Sequence, residues 1–436
     1  MTEDPDAIGA GNSPKRVLFA SLIGTTIEFF DFYIYATAAV LVFPRLFFPS
    51  SDAASATLQS LATFALAFFA RPFGSAVFGH FGDRIGRKAT LVAALLTMGL
   101  STVAIGLLPT YGSVGILAPI LLAACRVGQG LGLGGEWGGA VLLATENAPP
   151  GRRALYGMFP QLGAPVGFLC SAAVFIGLSQ WMTDAEFFAY GWRIPFLASA
   201  LLVFVGLYVR WRLAETPAFQ RAMANDERVR VPMATVIAKH GVSLFLGTVA
   251  AIATFVLFYV MTVFSLSWGT SALHFARKDF LSLQMLGVLF FAATIPVAAL
   301  VADRLGRWGT LIAATIGIIL FGLALAPLFA SGHRAGVVAF LVIGLALMGV
   351  TYGPLGTALA ELFPTAVRYT GASMTFNLAG IFGASLAPYL AMWLAGRYGL
   401  PAVGYYLSLS SVLTLVSLLV IRARSSGVED RRRPIV

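Results

Sequence analysis

Residues 79–88 read Gly-His-Phe-Gly-Asp-Arg-Ile-Gly-Arg-Lys, and residues 299–307 read Ala-Leu-Val-Ala-Asp-Arg-Leu-Gly-Arg. The two stretches share Asp-Arg-x-Gly-Arg at an offset of 220 positions. A second pair follows at nearly the same offset, 215: Glu146-Asn-Ala-Pro149-Pro-Gly-Arg152-Arg153 and Glu361-Leu-Phe-Pro364-Thr-Ala-Val-Arg368. Two matching offsets argue for a duplicated plan. All four stretches are short polar breaks between long apolar runs, so those runs decide the fold.

The apolar runs lie near 17–42, 58–81, 89–108, 115–144, 154–180 and 190–211, then 242–268, 280–302, 309–330, 336–360, 370–395 and 400–421. Each reaches the roughly 20 helical residues needed to cross about 30 Å of hydrocarbon. Alternating ten-residue segments of the barrel type are absent, so helices must satisfy the backbone in lipid. Composition agrees: 58% hydrophobic residues, 11% charged residues and a mean hydropathy of +0.85 exclude an ordinary soluble domain. The expectation is an all-α membrane protein with twelve transmembrane helices in two six-helix bundles.

A net charge of +10 would fit an acidic partner or nucleic acid if the cations shared one face. Instead they sort by loop. With the amino terminus inside, the cytoplasmic segments hold 21 of the 29 Lys and Arg, the outer segments hold six, and Arg71 and Arg126 fall at membrane depth. The positive-inside rule then puts both termini in the cytoplasm and makes nucleic acid a poor reading. The first 14 residues are polar and acidic, so no signal peptide is expected. Cys125 and Cys170 fall inside apolar runs and imply no disulfide framework. The four histidines have no metal spacing, and no Ser-His-Asp or paired-Cys arrangement lies within reach, so neither a cofactor nor an enzyme is expected.

The longest internal polar segment divides the chain. The expected organisation is a tail at 1–16, one bundle at 17–211, a central loop at 212–241, a second bundle at 242–421 and a tail at 422–436.

Ionisable groups at membrane depth cost about 2.5–3.5 kcal/mol each on insertion scales, so each needs a reason. Glu28, Asp31, Arg71, Arg126 and Glu136 lie inside runs one, two and four, whereas runs seven to twelve hold no interior charge. Glu28, Asp31 and Tyr35 recur at helical spacing and share a face. Ionising two carboxylates one turn apart is costly in low dielectric, which predicts a proton-coupling site with Glu136 as a further member. The alternative is that the carboxylates pair with Arg71 and Arg126 to hold helices together. A guanidinium fork matches a carboxylate bidentately, so Arg126 is the expected substrate anchor, with Arg71 either a second anchor or an internal partner. Gln129 shares a helix face with Glu136, and Trp137 is either packing or substrate contact. Neutral polar groups on the far side, Tyr259, Tyr352 and Asn377, with Gln161 facing them, suit substrate hydroxyl or carbonyl groups.

Residues 128–139 contain Gly130-x-Gly132-x-x-Gly135, formally a dinucleotide fingerprint. No strand precedes it, and seven glycines in one span instead predict close helix packing.

Gly79, Asp83, Arg84, Gly86, Arg87 and Lys88, with Arg126 and Gly130, and Glu361, Pro364, Arg368 and Gly371, resemble the motifs of the major facilitator superfamily over essentially the whole chain. Gly24, Glu28, Asp31 and Tyr35, Arg71-Pro72, and the 126–138 stretch resemble its metabolite:proton symporters, in particular the YhjE-like branch. That group includes permeases for shikimate, α-ketoglutarate, citrate and proline or betaine.

The resemblance implies a multi-pass protein of the bacterial inner membrane that imports a small organic acid with a proton. It is expected to act as a monomer whose partners are substrate, proton and lipid. It also implies gating residues: Asp83, Arg84 and Arg87 in one latch, Asp303 and Arg307 in the other, with Glu146, Arg153, Glu361 and Arg368 in the later loops. Ala299 and Trp308 depart from the latch pattern, which implies a weaker second copy. An osmolyte symporter is the rival reading. Osmolyte members tend to carry a long coiled-coil tail, and this chain stops shortly after its last apolar run. Drug export is disfavoured because Gly163-Ala-Pro165-Val-Gly167 only partly matches the antiporter motif.

Overall fold

The computed structural model describes residues 14–49, 52–85, 87–134, 136–211, 232–330, 332–364 and 367–430; within them, side chains at 14–17, 79–91, 143, 209–211, 232 and 425–430 lie outside the description. Long helices dominate, and the described residues contain no strand. In chain order they are α1 (Pro14–Leu41), α2 (Ala53–Ile85), α3 (Arg87–Leu107), α4 (Leu117–Leu133, continued by Trp137–Glu146), α5 (Arg153–Trp181) and α6 (Ile194–Trp211). After the central segment come α7 (Pro232–Tyr259, continued by a π-helical stretch Val260–Phe264 and by Ser265–Ser271), α8 (Arg277–Leu305), α9 (Arg307–Phe329) and α10 (Arg334–Glu361). Then follow α11 (Arg368–Ala379, a π-helical Gly380–Ser385, then Ala387–Tyr398) and α12 (Leu400–Asp430).

Eleven of these are long and apolar enough to cross a membrane; α3 contributes a shorter apolar stretch, Val92–Leu107. Two boundaries differ from the sequence reading. Helix α7 begins at Pro232, inside the segment expected as loop, and bends at His240 (φ −124°, ψ 21°). Helix α12 runs on to Asp430, beyond the expected end at 421.

Large apolar side chains cover the outside: Phe73, Leu201, Phe204, Leu320 and Leu409 are all more than three-fifths exposed. In water such a surface would drive aggregation; in lipid it is solvated.

The glycine-rich α4 packs against α2 and α3 at backbone distance. A Cβ on Gly134 would lie 2.0 Å from the carbonyl oxygen of Arg71, and one on Gly130 2.3 Å from that of Ala67. Only glycine permits this approach, and it brings the backbone of α4 beside the arginine on α2. Gly163 plays the same part on α5, where a Cβ would meet the Thr25 hydroxyl of α1 at 2.2 Å. The partial antiporter stretch is therefore a packing seam between α1 and α5.

Candidate substrate and coupling site

The buried charged side chains among the described residues are Glu28, Asp31, Arg71, Arg126 and Glu136, all on α1, α2 and α4. None comes from α7 to α12. Helix α1 brings two acids, α2 brings Arg71 from its middle, and the break in α4 puts Glu136 at its turn, against α1.

Arg126 is completely buried. Its Nε donates to the Phe64 carbonyl at 3.2 Å, and its Nη1 donates to Gln129 Oε1 at 3.0 Å. The guanidinium carbon lies 4.1 Å from the centre of the Tyr35 ring, 4.6 Å from Phe32 and 4.8 Å from Phe64. Nη2 has no partner, and Arg126 makes no ion pair among the described residues. Its electrostatic neighbours are Tyr35, Arg71 and Tyr259, so a second cation lies within range. Taking an ion out of water costs several kcal/mol. Cation–π contact returns about 2 kcal/mol when desolvated and each charged hydrogen bond about 1.5–3 kcal/mol. The protein thus holds Arg126 in place without neutralising it, which leaves a site of positive potential with one free donor.

Arg71 adds to that potential. Its guanidinium carbon sits 4.7 Å from the Phe68 ring centre and 5.1 Å from Phe32. Phe32, Phe64, Phe68 and Tyr259 pack edge to face with centroids 5.3–6.2 Å apart, an aromatic cluster that carries both arginines and takes Tyr259 from α7. Arg71 and Arg126 therefore share one aromatic wall.

The acids separate. The Ser199 hydroxyl of α6 donates to Asp31 Oδ1 at 2.5 Å, and Thr102 of α3 is an electrostatic neighbour whose own hydroxyl donates to the Met98 carbonyl at 3.0 Å. Gln129 Nε2 donates to the same Thr102 hydroxyl at 2.8 Å. A polar chain thus runs from Arg126 through Gln129 to Thr102 and ends in the neighbourhood of Asp31. Glu28 lies instead within electrostatic range of Tyr33 and of Tyr352 from α10. Glu136 reaches α1 one turn before Glu28: a Cβ on Gly24 would sit 3.6 Å from its Oε1. Glu28 and Asp31 share a helix face loosely, but their side chains serve different neighbours. Thr102 and Ser199 carry no sequence signal beyond being hydroxyls in apolar helices.

Several residues expected at the substrate instead bridge the two parts of the chain in this conformation. Gln161 Nε2 donates to the Tyr352 carbonyl at 3.0 Å, and Trp137 Nε1 donates to Gln161 Oε1 at 3.1 Å. The Trp137 ring stacks on Phe376 of α11 at 3.6 Å between centroids and 11° between planes. Asn377 Nδ2 donates to Ser75 Oγ at 2.9 Å and to the Gly134 carbonyl at 3.2 Å. The opposite end is joined by the ion pair of Arg277 with Asp184 at 3.3 Å.

At the end that carries the termini, Asp303 accepts the backbone N–H groups of Ala154 at 2.9 Å and Leu155 at 3.0 Å. Its carboxylate caps the amino terminus of α5, where the first N–H groups have no helical partner. Arg307 lies 3.7 Å from Asp303 and pairs with Glu361. The Thr357 hydroxyl of α10 donates to the Arg153 carbonyl at 3.4 Å, and Arg368 Nε donates to the Phe363 carbonyl at 3.2 Å. The Glu146 and Arg153 side chains are exposed. Asp83, Arg84 and Arg87 have side chains outside the described residues. No group of His, Cys, Asp and Glu among the described residues could hold a metal ion.

This arrangement, charge buried at membrane depth within long apolar helices, fits a membrane transporter, and the chain belongs to the Major Facilitator Superfamily, whose family profile matches residues 21–384. It is a multi-pass inner-membrane protein and not an enzyme. It is 58% identical to the inner membrane metabolite transport protein YhjE of Escherichia coli K12 over 414 residues, 94% of each chain. It is 33% identical to the shikimate transporter of the same strain, again over 94% of each chain. Among solved structures, the xylose transporter XylE from E. coli, in a partially occluded inward-open conformation, superposes with a TM-score of 0.73 at 16% identity, covering 94% of this chain and 97% of that one. That likeness is one of fold.

Proposed function

We propose that this protein is a proton-coupled symporter that imports a small organic acid by alternating access. Its twelve spans form two six-helix units, 17–211 and 242–421, that rock about the buried arginines, with both termini in the cytoplasm and a single copy sufficing. The observation that carries this reading is Arg126: fully buried, held by a carbonyl, an amide and three rings, and left with a free Nη2 and no carboxylate. Such a cation is built to receive an anion, and its planar fork selects a carboxylate.

Bringing a carboxylate into a site that already holds Glu28, Asp31 and Glu136 would add negative charge in low dielectric. A proton taken up by one of those acids offsets it and lets the loaded transporter reorient. The polar chain from Arg126 through Gln129 to Thr102 ends near Asp31, which supports Asp31 as the group that senses occupancy. Kinship with proteins named for metabolite and shikimate transport supports a mono- or dicarboxylate, or a shikimate-like or α-ketoglutarate-like acid.

The test is uptake of labelled carboxylates into proteoliposomes under an imposed pH gradient. Accumulation that ignores the gradient and survives Glu28→Gln and Asp31→Asn would reject the reading. One observation keeps an osmolyte in view: the rings of Phe32, Phe64, Phe68 and Tyr259 could receive a quaternary ammonium beside the carboxylate. Betaine uptake stimulated by raised osmolarity would favour it.

A further inference from the structure

A second polar point lies beside the arginines, on the side of α1 that faces α7 and α8. Tyr33 and Gln284 are both almost wholly buried, at 2% and 1% exposure. Each carries an orphan: the Tyr33 hydroxyl and Gln284 Oε1 have no hydrogen-bond partner. Both side chains line one cavity of about 10 Å³ between α1, α5, α7 and α8, with Thr37, Phe168 and Thr262. That is room for one hydroxyl or water-sized group.

The orientation of Gln284 is fixed by chemistry. Its Nε2 donates to the carbonyls of Met261 at 3.3 Å and Thr262 at 2.7 Å and to Ser265 Oγ at 3.0 Å. These carbonyls belong to the π-helical stretch Val260–Phe264, where that of Thr262 also accepts the Ser265 N–H and that of Met261 the Ser265 hydroxyl at 2.6 Å. Flipping the amide would set its oxygen against two carbonyl oxygens, so the oxygen must be the atom left over. Tyr33 is adjacent in sequence to Phe32, on which both guanidinium groups rest, and its hydroxyl is within electrostatic range of Arg71, Glu28, Tyr259 and Tyr352. The neutral pair therefore borders the charged cluster.

We propose that Tyr33 and Gln284 form a neutral subsite for a hydroxyl group on the transported acid, making the protein selective for hydroxy acids over their deoxy counterparts. A single hydroxyl satisfies both orphans at once, accepting from Tyr33 and donating to Gln284 Oε1. A methylene in its place leaves both buried and unpaired, the kind of loss by which polar sites reject analogues. The inference rests on the carboxylate reading of Arg126 and adds to it the class of acid.

The test is binding to the purified full chain in nanodiscs, by calorimetry, of two matched pairs: malate against succinate and lactate against propionate. The expected result is that the hydroxylated member binds about 10-fold or more tightly, and that Tyr33→Phe collapses this ratio to within about 2-fold. Tyr33→Phe removes only the oxygen, so it stays informative where Gln284→Met disturbs the π-helical turn; melting temperatures of both variants separate folding from recognition. Equal binding within each pair, or a ratio that survives Tyr33→Phe, overturns the subsite while leaving the carboxylate reading intact. Absence of binding by all four acids, or succinate affinity indifferent to Arg126→Lys, overturns both.

Discussion

The helices before residue 212 and those after residue 231 follow one plan and carry different chemistry. The first set holds all the buried charge found among the described residues, on α1, α2 and α4. The second set holds neutral polar groups, Tyr259, Gln284, Tyr352 and Asn377, and both π-helical stretches, in α7 and α11. Arg126 on α4 finds Val342 at the corresponding place on α10. The repeated motifs point to a duplicated scaffold whose two sets of helices have diverged. One side fixes charge, and the other supplies local irregularity and neutral hydrogen bonds. Charge is costly at membrane depth, and confining it to one set of helices means that relative motion of the halves need not break buried ion pairs.

The largest effect should come from removing the charge that defines the first set. Arg126→Lys keeps the charge and loses the fork, and carboxylate uptake in proteoliposomes should fall more than 100-fold. Arg126→Met should abolish uptake yet raise thermal stability, by roughly 1–4 kcal/mol, because an uncompensated buried ion is replaced by an apolar chain. Retained uptake in Arg126→Lys would break the division of labour.

Next in size is the loss of coupling. Glu28→Gln and Asp31→Asn should each reduce gradient-driven accumulation about 10-fold, while exchange between equal pools on the two sides continues. If only one of them does so, the coupled proton is assigned.

A smaller effect is expected at the contact between the sets. Asp303→Asn weakens the cap on α5, a change worth about 1 kcal/mol, and removes a partner of Arg307. Amide exchange at Ala154 and Leu155 should quicken, and opening at the end that carries the termini should become more frequent. Unchanged exchange would show that the cap does not hold that end closed.

The smallest effect lies at the other end. Thr183 and Glu186 form a capping box at the start of the short helix Asp184–Ala189, and those hydrogen bonds hold the Glu186 carboxyl below its ordinary range. A depressed folded value means that the box contributes stability above the unfolded value, near pH 4.3, and loses it as pH falls through the folded one. Since Asp184 in this helix meets Arg277 across the interface, amide exchange over 183–189 should rise only on acidification below about pH 4. A change between pH 6 and 8 would contradict this account.

Much of the fold was legible in the sequence because lipid imposes a simple code: apolar length, loop charge and the repeated Asp-Arg-x-Gly-Arg turn. The start of α7 and the end of α12 are less legible, since a polar helix extending past the membrane looks like loop. The five buried charges were legible for the same reason that they are costly. Their partners were not. Nothing in the spacing says that Asp31 meets Ser199, or that Gln161, Tyr352 and Asn377 spend this conformation bridging the halves. Gln284, a buried amide in the first third of an apolar α8, is a sequence signal of the same kind as Arg126. The π-helical stretches have no residue signature, and that in α7 shows its part through the carbonyls that accept from Gln284.

Proton uptake during binding is the most direct consequence of coupling between Arg126 and the buried acids. Calorimetry of a carboxylate binding to the purified protein, in buffers of different ionisation heat, should show a proton taken up with each carboxylate. It should show the uptake lost in Asp31→Asn or Glu28→Gln, and binding itself lost in Arg126→Lys. Carboxylate binding with no proton taken up, or binding unaffected by Arg126→Lys, would contradict it.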